Sequence, residues 1–505
     1  MGRRKIAIKN SMIGLISQIV TIIFQFVTRS IFIRYLGVEL LGISSTFSSV
    51  LNTLSLAELG FQSAIVYSLY KPLSEGNQKI INETVNVLKV IYTTIGCFFI
   101  ISGISLLPFL TYILSGVEIN VTVYVIFIIQ LMNSVCSYFL AYKRSLLYAD
   151  RKEFMTKTVD TVLNIIFSVL KIIVVIQTSN YIAYISLTTL QTIVSNLLIH
   201  IISLRIYPFL HKTTFNVQIF KNVWGYVKNI FAGKIAYYIY SSTDNLVVSS
   251  IVGTVSVGYM VNYTTIISSL KTLTNSILNP ITPIIGNMMA LEKSDEKSES
   301  VFRMYTYIRF LIACCIVTPI IVLIQSFIEV WIGKNYLLSI AIVWLYGIDL
   351  YIHIVHSALC DFIHGSGLFK ENRNIEIVGA ICNVIFSIAL AYFIGLEGVL
   401  LGTIISQIVF WIGRSIVAYR KCFLTSKGRL LSYWITNITY IVVFVGICCV
   451  LNLAYKYITL SFFPLRFLLG GLLCEISVIV TLCVLFGRTE EHRQIVEIIC
   501  SIFRK

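Results

Sequence analysis

Charge is what this sequence has least of. Only 12% of its 505 residues are Asp, Glu, Lys or Arg, while 57% are hydrophobic. A soluble domain carries roughly 25% charged residues, so the composition excludes a soluble globular protein. Acidic residues are the scarcer sign, 23 against 39 Lys and Arg. No segment between the apolar runs is long enough to fold as a soluble domain. No CxxC occurs among the twelve Cys, and the pairs Cys314-Cys315 and Cys448-Cys449 sit inside apolar segments. Metal spacing is therefore missing, and these thiols read as small apolar fillers. The chain also lacks the ten-residue alternation of apolar and polar positions that a β-barrel requires. No small-residue cleavage site follows Arg3-Arg4-Lys5, and Gln18, Gln25 and Arg29 interrupt the first apolar stretch, so it does not read as a cleaved signal. Ile6 stands where N-myristoylation needs Ser or Thr.

What the chain does have is apolar runs of about 20 residues, the length of a bilayer-spanning helix. Fourteen can be placed, at 11–33, 41–68, 86–107, 119–141, 159–177, 181–204, 227–250, 257–284, 304–327, 337–360, 375–394, 397–419, 431–453 and 462–486. The net charge of +16 invites a nucleic-acid partner, but its distribution refutes one. With the N-terminus inside, 28 of the 39 Lys and Arg fall in cytoplasmic segments and four in external ones. That asymmetry follows the positive-inside rule and places both termini in the cytoplasm. Asn279-Pro280-Ile281-Thr282-Pro283 is expected to break the eighth span and Pro319 to kink the ninth.

An internal repeat organises these spans. Leu36-Gly37-Val38-Glu39-Leu40-Leu41-Gly42 ends the first span, and Val252-Gly253-Thr254-Val255-Ser256-Val257-Gly258 ends the seventh. Both copies space two glycines five residues apart. A second anchor, Asn164 to Val169 against Asn383 to Ile388, recurs at nearly the same offset. The offset covers six spans, an even number, so the copies point the same way. The expected fold is all-α and polytopic, with two six-helix lobes related by a parallel pseudo-twofold around a central cavity, plus two C-terminal helices. The corresponding parts are an N-lobe at 1–204, a cytoplasmic linker at 205–226, a C-lobe at 227–419, and the last two spans with a tail at 420–505.

Polar residues inside the spans form stripes at helical spacing. The first span carries Gln18, Gln25 and Arg29; the fifth Asp160, Asn164, Ser168 and Lys171. The seventh carries Lys234, Tyr238, Ser241 and Asn245 with Asp244 beside them, and the eighth Thr264, Ser268, Lys271 and Asn275. A charge at membrane depth costs about 2.5–3.5 kcal/mol on insertion scales and faces a bundle interior or a watery cavity. Arg29, Lys171, Lys234 and Lys271 are accordingly read as lining a cavity for an anionic substrate, such as the phosphates of a lipid carrier. The bland alternative is that such stripes make helix–helix contacts. Arg309 and Arg414, nearer the inner face, read as snorkelling. The tenth span places Asp349, His353, His356 and Cys360 on one stripe, either a proton relay or a hydrogen-bonded internal cluster.

The chain resembles the polysaccharide transporter (oligosaccharide flippase, Wzx-like) family of the multidrug/oligosaccharidyl-lipid/polysaccharide exporter superfamily. The resemblance rests on Asn10, Arg34-Tyr35-Leu36-Gly37, Gly42 and Glu58-Leu59-Gly60, then Asp244-Asn245-Leu246-Val247-Val248, Gly253 and Val257-Gly258-Tyr259. It implies a bacterial cell-membrane flippase, not an enzyme, moving undecaprenyl-diphosphate-linked oligosaccharides from inner to outer leaflet by alternating access, for capsule, O-antigen or exopolysaccharide assembly. A polysaccharide polymerase and a chain-length regulator are the partners expected on that reading. No cofactor is expected. Coupling to a proton or sodium gradient would fall to Asp244, Asp349, His353 or His356. The competing readings are a cation-coupled drug antiporter of the same superfamily, which would favour acidic cavity residues, and a polytopic glycosyltransferase or polymerase, which would need an external acidic pair or a large external loop.

Overall fold

The structure, a computed structural model, describes residues 3–54, 68–70, 72–73, 75–139, 142–150, 152–211, 213–278, 281–291, 295–423, 429–458 and 462–503. The Glu58-Leu59-Gly60 motif lies outside them. The described residues form helices and connecting turns, and two compact units divide at Val261/Asn262.

Unit 1 holds α1 (Arg3–Leu54), α2 (Gln78–Ser105), α3 (Val121–Phe139), α4 (Tyr142–Ala149), α5 (Glu153–Thr178), α6 (Tyr181–Ile206) and α7 (Val217–Val247), and the first residues of α8 (Thr254–Leu278). Unit 2 holds the rest of α8, then α9 (Thr282–Leu291), α10 (Asp295–Trp331), α11 (Ile340–Gly365), α12 (Phe369–Ile394), α13 (Leu396–Val417), α14 (Leu430–Lys456), α15 (Phe463–Phe486) and α16 (Glu490–Phe503). Eleven of the described helices are long and apolar enough to cross a membrane. One of these, α1, is two spans: Gly37 (φ 85°, ψ 169°) breaks it between the first and second predicted runs. The remaining two predicted spans are α7 and α8, whose polar stripes keep them off an apolar count. Among the described residues every predicted span falls on a helix, the second only as far as Leu54, and the chain is a multi-pass membrane protein. The expected break at Asn279-Pro280 lies outside the described residues, between α8 and α9, while α10 continues through Pro319.

Four helix starts are capped by local side-chain chemistry. Asn77, Asn180 and Asn216 each accept a backbone N–H of the first turn of α2, α6 and α7, and Ser339 does so for α11. Such caps satisfy donors that lipid cannot.

The glycine elbows have a second role besides turning the chain. Gly37 and Gly253 both adopt positive φ, 85° and 130°, which favours glycine. Gly42 and Gly258 instead permit close approach. A Cβ on Gly42 would lie 2.1 Å from the Thr254 carbonyl oxygen, and one on Gly258 would lie 2.3 Å from that of Val38. The elbows of the two repeats therefore pack reciprocally against each other, backbone to backbone, inside unit 1. The chain around Ser115 pins the second elbow: Thr254 N donates to Ser115 O at 3.0 Å, and Ser115 N to Ser249 O at 3.3 Å.

In unit 2 the last two spans, outside the repeat, pack on α10. Phe310 stacks on Tyr440 of α14 at 4.1 Å, and Phe486 of α15 meets Phe310 edge-on at 5.8 Å. Tyr307 bonds to His492 of α16 at 2.9 Å.

Candidate functional site

Within the predicted spans of unit 1, Arg29 and Lys171 lie without a carboxylate partner among the described residues. Lys171 is buried on α5, one helix face along from Asn164 and Ser168. Its Nζ donates to Gln191 Oε1 on α6 at 2.9 Å and sits 5.7 Å over the ring of Tyr184. Tyr184 is also within electrostatic reach of Arg29 on α1, and Phe32, one turn on from Arg29, packs edge-on against it at 5.2 Å. One Arg29 Nη is buried with no hydrogen-bond partner. Neither Arg29 nor Lys171 forms an ion pair among the described residues. Fixed positive charge in a low-dielectric region raises the local potential and favours an anion entering it.

Next to these cations, nearer the loop that carries Lys143 to Lys157, unit 1 holds a partly open cavity of about 500 Å³. Its charged members are Arg144 and Asp160, locked in a fork at 2.7 and 3.0 Å. Ser195 donates to the same carboxylate at 2.5 Å, and Arg144 reaches Asn196 at 3.0 Å. Gln191 lines the cavity and also holds Lys171, so the neutral pocket and the cationic site share a wall. The sequence stripe on α5 pointed to Asp160. In the sequence Arg144 reads only as a loop charge, because its partner lies 16 residues on in the chain and only the fold of α4 over α5 and α6 brings them together.

Unit 2 treats its cations differently. Lys271 of α8 pairs with Asp349 of α11 at 2.6 Å, and Gln407 of α13 donates to the other oxygen of that carboxylate. The stripe on α11 continues through His353, whose ring lies 6.3 Å from that of His356 and whose Nε2 is buried without a partner. His356 Nδ1 bonds to the Ile352 carbonyl at 2.8 Å and so carries the proton; Nε2 then accepts from Arg414 at 2.8 Å. Both nitrogens of this neutral ring are engaged.

The snorkelling expected of Arg309 and Arg414 is overturned. They are 3% and 7% exposed and point into the bundle. Arg309 bonds Asp361 at 2.5 Å, Tyr305 at 2.8 Å and the Ile354 carbonyl at 3.0 Å. Arg414 bonds Asn372 at 2.9 Å and Glu376 at 3.3 Å. The signal missed was Asp361 and Glu376, because a loop-by-loop tally of Lys and Arg takes no account of carboxylates. In hydrocarbon a nearby carboxylate is worth more than a route to water.

Asp244 lies half-buried on α7, beside Asn245, which donates to Ser49 of α1 at 2.8 Å. The side chain of Lys234 is outside the described residues. The structure thus brings Arg29 and Lys171 around Tyr184, pairs Lys271 with Asp349, and aligns Asp349, His353 and His356 on one helix. The His/Cys stripe on α11 forms no metal-holding group among the described residues.

No curated protein matches the chain. Among solved structures, one of the lipid II flippase MurJ in an inward closed conformation is similar with a TM-score of 0.70 and 16% identity, over 95% of this chain and 99% of that one. A multidrug resistance MATE family transporter of the MOP superfamily is similar in its inward-facing conformation, with a TM-score of 0.60 and 16% identity over 84% of this chain and 98% of that one. An outward-facing conformation of a MATE family transporter gives 0.56 and 15%, over 86% and 97%. At such identities these likenesses show the fold. The family described as polysaccharide biosynthesis protein matches residues 31–341, more than half of the chain. With the fold of a MurJ- and MATE-like membrane transporter and that match across both repeats, the chain belongs to the polysaccharide biosynthesis protein family.

Proposed function

We propose that this protein is a flippase that carries undecaprenyl-diphosphate-linked oligosaccharide units from the inner to the outer leaflet of a bacterial cell membrane by alternating access, with both termini in the cytoplasm. The observation that carries the proposal is the contrast between the two units. In unit 2, Lys271, Arg309 and Arg414 each have a carboxylate partner; in unit 1, Arg29 and Lys171 have none among the described residues. Two uncompensated cations at membrane depth are costly to the empty protein. That cost is recovered when an anion binds, so these residues select a diphosphate over a cationic drug. Lys171 is held in place by Gln191, and Arg29 keeps a buried N–H ready to donate. Hydrogen bonds between cationic donors and phosphate oxygens are among the stronger ones. Transport on this reading needs no cofactor and no covalent step.

Coupling to a proton or sodium gradient is assigned to the Lys271–Asp349 pair. Neutralising the carboxylate by a proton, or drawing it to a cation, frees Lys271 and loosens α8 from α11. A polysaccharide polymerase and a chain-length regulator are the partners that would use the delivered units.

The test is Arg29→Met with Lys171→Met in cells that depend on this protein for surface polysaccharide. The expected result is loss of surface polysaccharide and build-up of the lipid-linked intermediate in the inner leaflet, with the protein still present in the membrane. Unaltered polysaccharide together with changed drug resistance would establish the antiporter reading instead.

A further inference from the structure

We infer that the partly open cavity of unit 1 is a sugar subsite, holding the first neutral sugar of the cargo beside the diphosphate; this rests on the flippase reading above. The cavity of about 500 Å³ falls in the range of small-molecule sites, roughly 300–1,000 Å³. Its chemistry is that of carbohydrate recognition. The charged members cancel within one fork, Arg144 on Asp160. The remaining polar lining is amides and hydroxyls, among them Asn164, Gln191 and Thr192, and Tyr92 and Tyr138 also line it. Such a set offers donors and acceptors for ring hydroxyls and an apolar face for the C–H side of a sugar, but no net charge for an anion.

A second observation points to a ligand. Ser145 lines the cavity and is 1% exposed, and its hydroxyl has no hydrogen-bond partner. A buried, unpaired hydroxyl costs free energy unless something meets it. The contact between Asn164 and Thr21 is long, at 3.4 Å, and readily exchanged for a stronger one.

The position fits the order of groups in a glycosyl diphosphate lipid. Thr21 and Arg29 are eight residues apart on α1, about 12 Å at the helical rise, and Asn164 and Lys171 are seven apart on α5, about 10 Å. Gln191 belongs to both sites, lining the cavity while accepting from Lys171. A sugar in the cavity therefore leaves its anomeric phosphate facing Lys171. The cavity lies toward the basic loop, the side that the positive-inside rule reads as cytoplasmic, where the flippase reading has the cargo load.

The test measures binding of two probes to the purified full-length chain in nanodiscs: bare undecaprenyl diphosphate, and the same lipid carrying one hexose or N-acetylhexosamine. The unaltered protein is expected to prefer at least one glycosylated lipid by tenfold or more, about 1.4 kcal/mol. Ser145→Leu and, independently, Thr21→Leu fill the cavity. Each is expected to abolish the preference while keeping the affinity for the bare lipid, which also reports that the variant has folded. Equal affinity of the unaltered protein for bare and glycosylated lipids overturns the subsite and leaves the flippase reading standing. A preference that survives in the folded variants overturns it too. Failure of the unaltered protein to bind any of these lipids overturns the flippase reading itself.

Discussion

Asp361→Asn is the sharpest test of how unit 2 holds its buried charge. The carboxylate of Asp361 accepts from Thr282 at 2.7 Å, Tyr305 at 2.9 Å and Arg309 at 2.5 Å. The Arg309 and Asp361 side chains are 4% and 13% exposed, so water screens the pair little. Asparagine keeps the volume and one acceptor oxygen but removes the charge, leaving the Arg309 guanidinium uncompensated. Removing one partner of a buried ion pair costs about 3–5 kcal/mol. At about 2 °C per kcal/mol for a unit of this size, the apparent melting temperature in detergent should fall by roughly 6–10 °C. Arg309→Met should cost a similar amount by stranding the carboxylate. The double variant Arg309→Met/Asp361→Leu removes both charges and should recover most of the loss, because an apolar pair replaces the ionic one. Intrinsic-fluorescence melts of the four proteins close the cycle. A fall of under about 1 °C for Asp361→Asn, or a double variant as unstable as the sum of the singles, would refute the argument that Arg309 is held by charge rather than reaching for water.

Other expectations follow from the same contacts. Gly42→Ala drives a Cβ against the Thr254 carbonyl, so it should lower the melting temperature and membrane yield more than Gly446→Ala, where a Cβ meets nothing within 4 Å. Asp349→Asn should weaken the dependence of flipping on an imposed proton gradient, whereas His356→Gln should change stability but not that dependence, since both nitrogens of His356 are structural; transport in proteoliposomes with and without a gradient separates them, and an unchanged gradient dependence in Asp349→Asn with His353→Ala removes the coupling assignment. Lys143 on α4 is buried, and that burial, then the Lys89 ammonium, pushes it down to about 8. The folded state therefore gives up this proton more readily than the unfolded chain, and the penalty of the buried charge fades as pH rises through 8 and above. Lys143→Met should melt higher than the unaltered protein at pH 7, and the gap should narrow by pH 9.5; a gap independent of pH would discount the burial of that charge.

Much of the fold was legible because lipid imposes so few solutions. Apolar runs about 20 residues long, set between basic and nonbasic loops, can only be helices, and the described helices fall where periodicity and hydropathy placed them. The glycine elbows were legible as turns, since positive φ at Gly37 and Gly253 is a local property. That Gly42 and Gly258 pack reciprocally was not, because a close backbone approach needs two segments 216 residues apart. The stripes on α5 and α11 were legible as faces. What each face meets was hidden: Lys171 meets an amide, Lys271 a carboxylate, and Asp160 an arginine from a loop helix.

The sequence by itself therefore determined the class, the all-helical multi-pass organisation and which helix faces carry charge. These follow from composition and period, which need no knowledge of neighbours. Only the tertiary structure decided which charges are cancelled and which are left open. Lys171 and Lys271 have the same side chain at similar depth, yet one is paired and one is not. The difference lies in the residue supplied by another helix, and in a medium of low dielectric that partner decides whether a buried cation is part of the scaffold or a site for an anion.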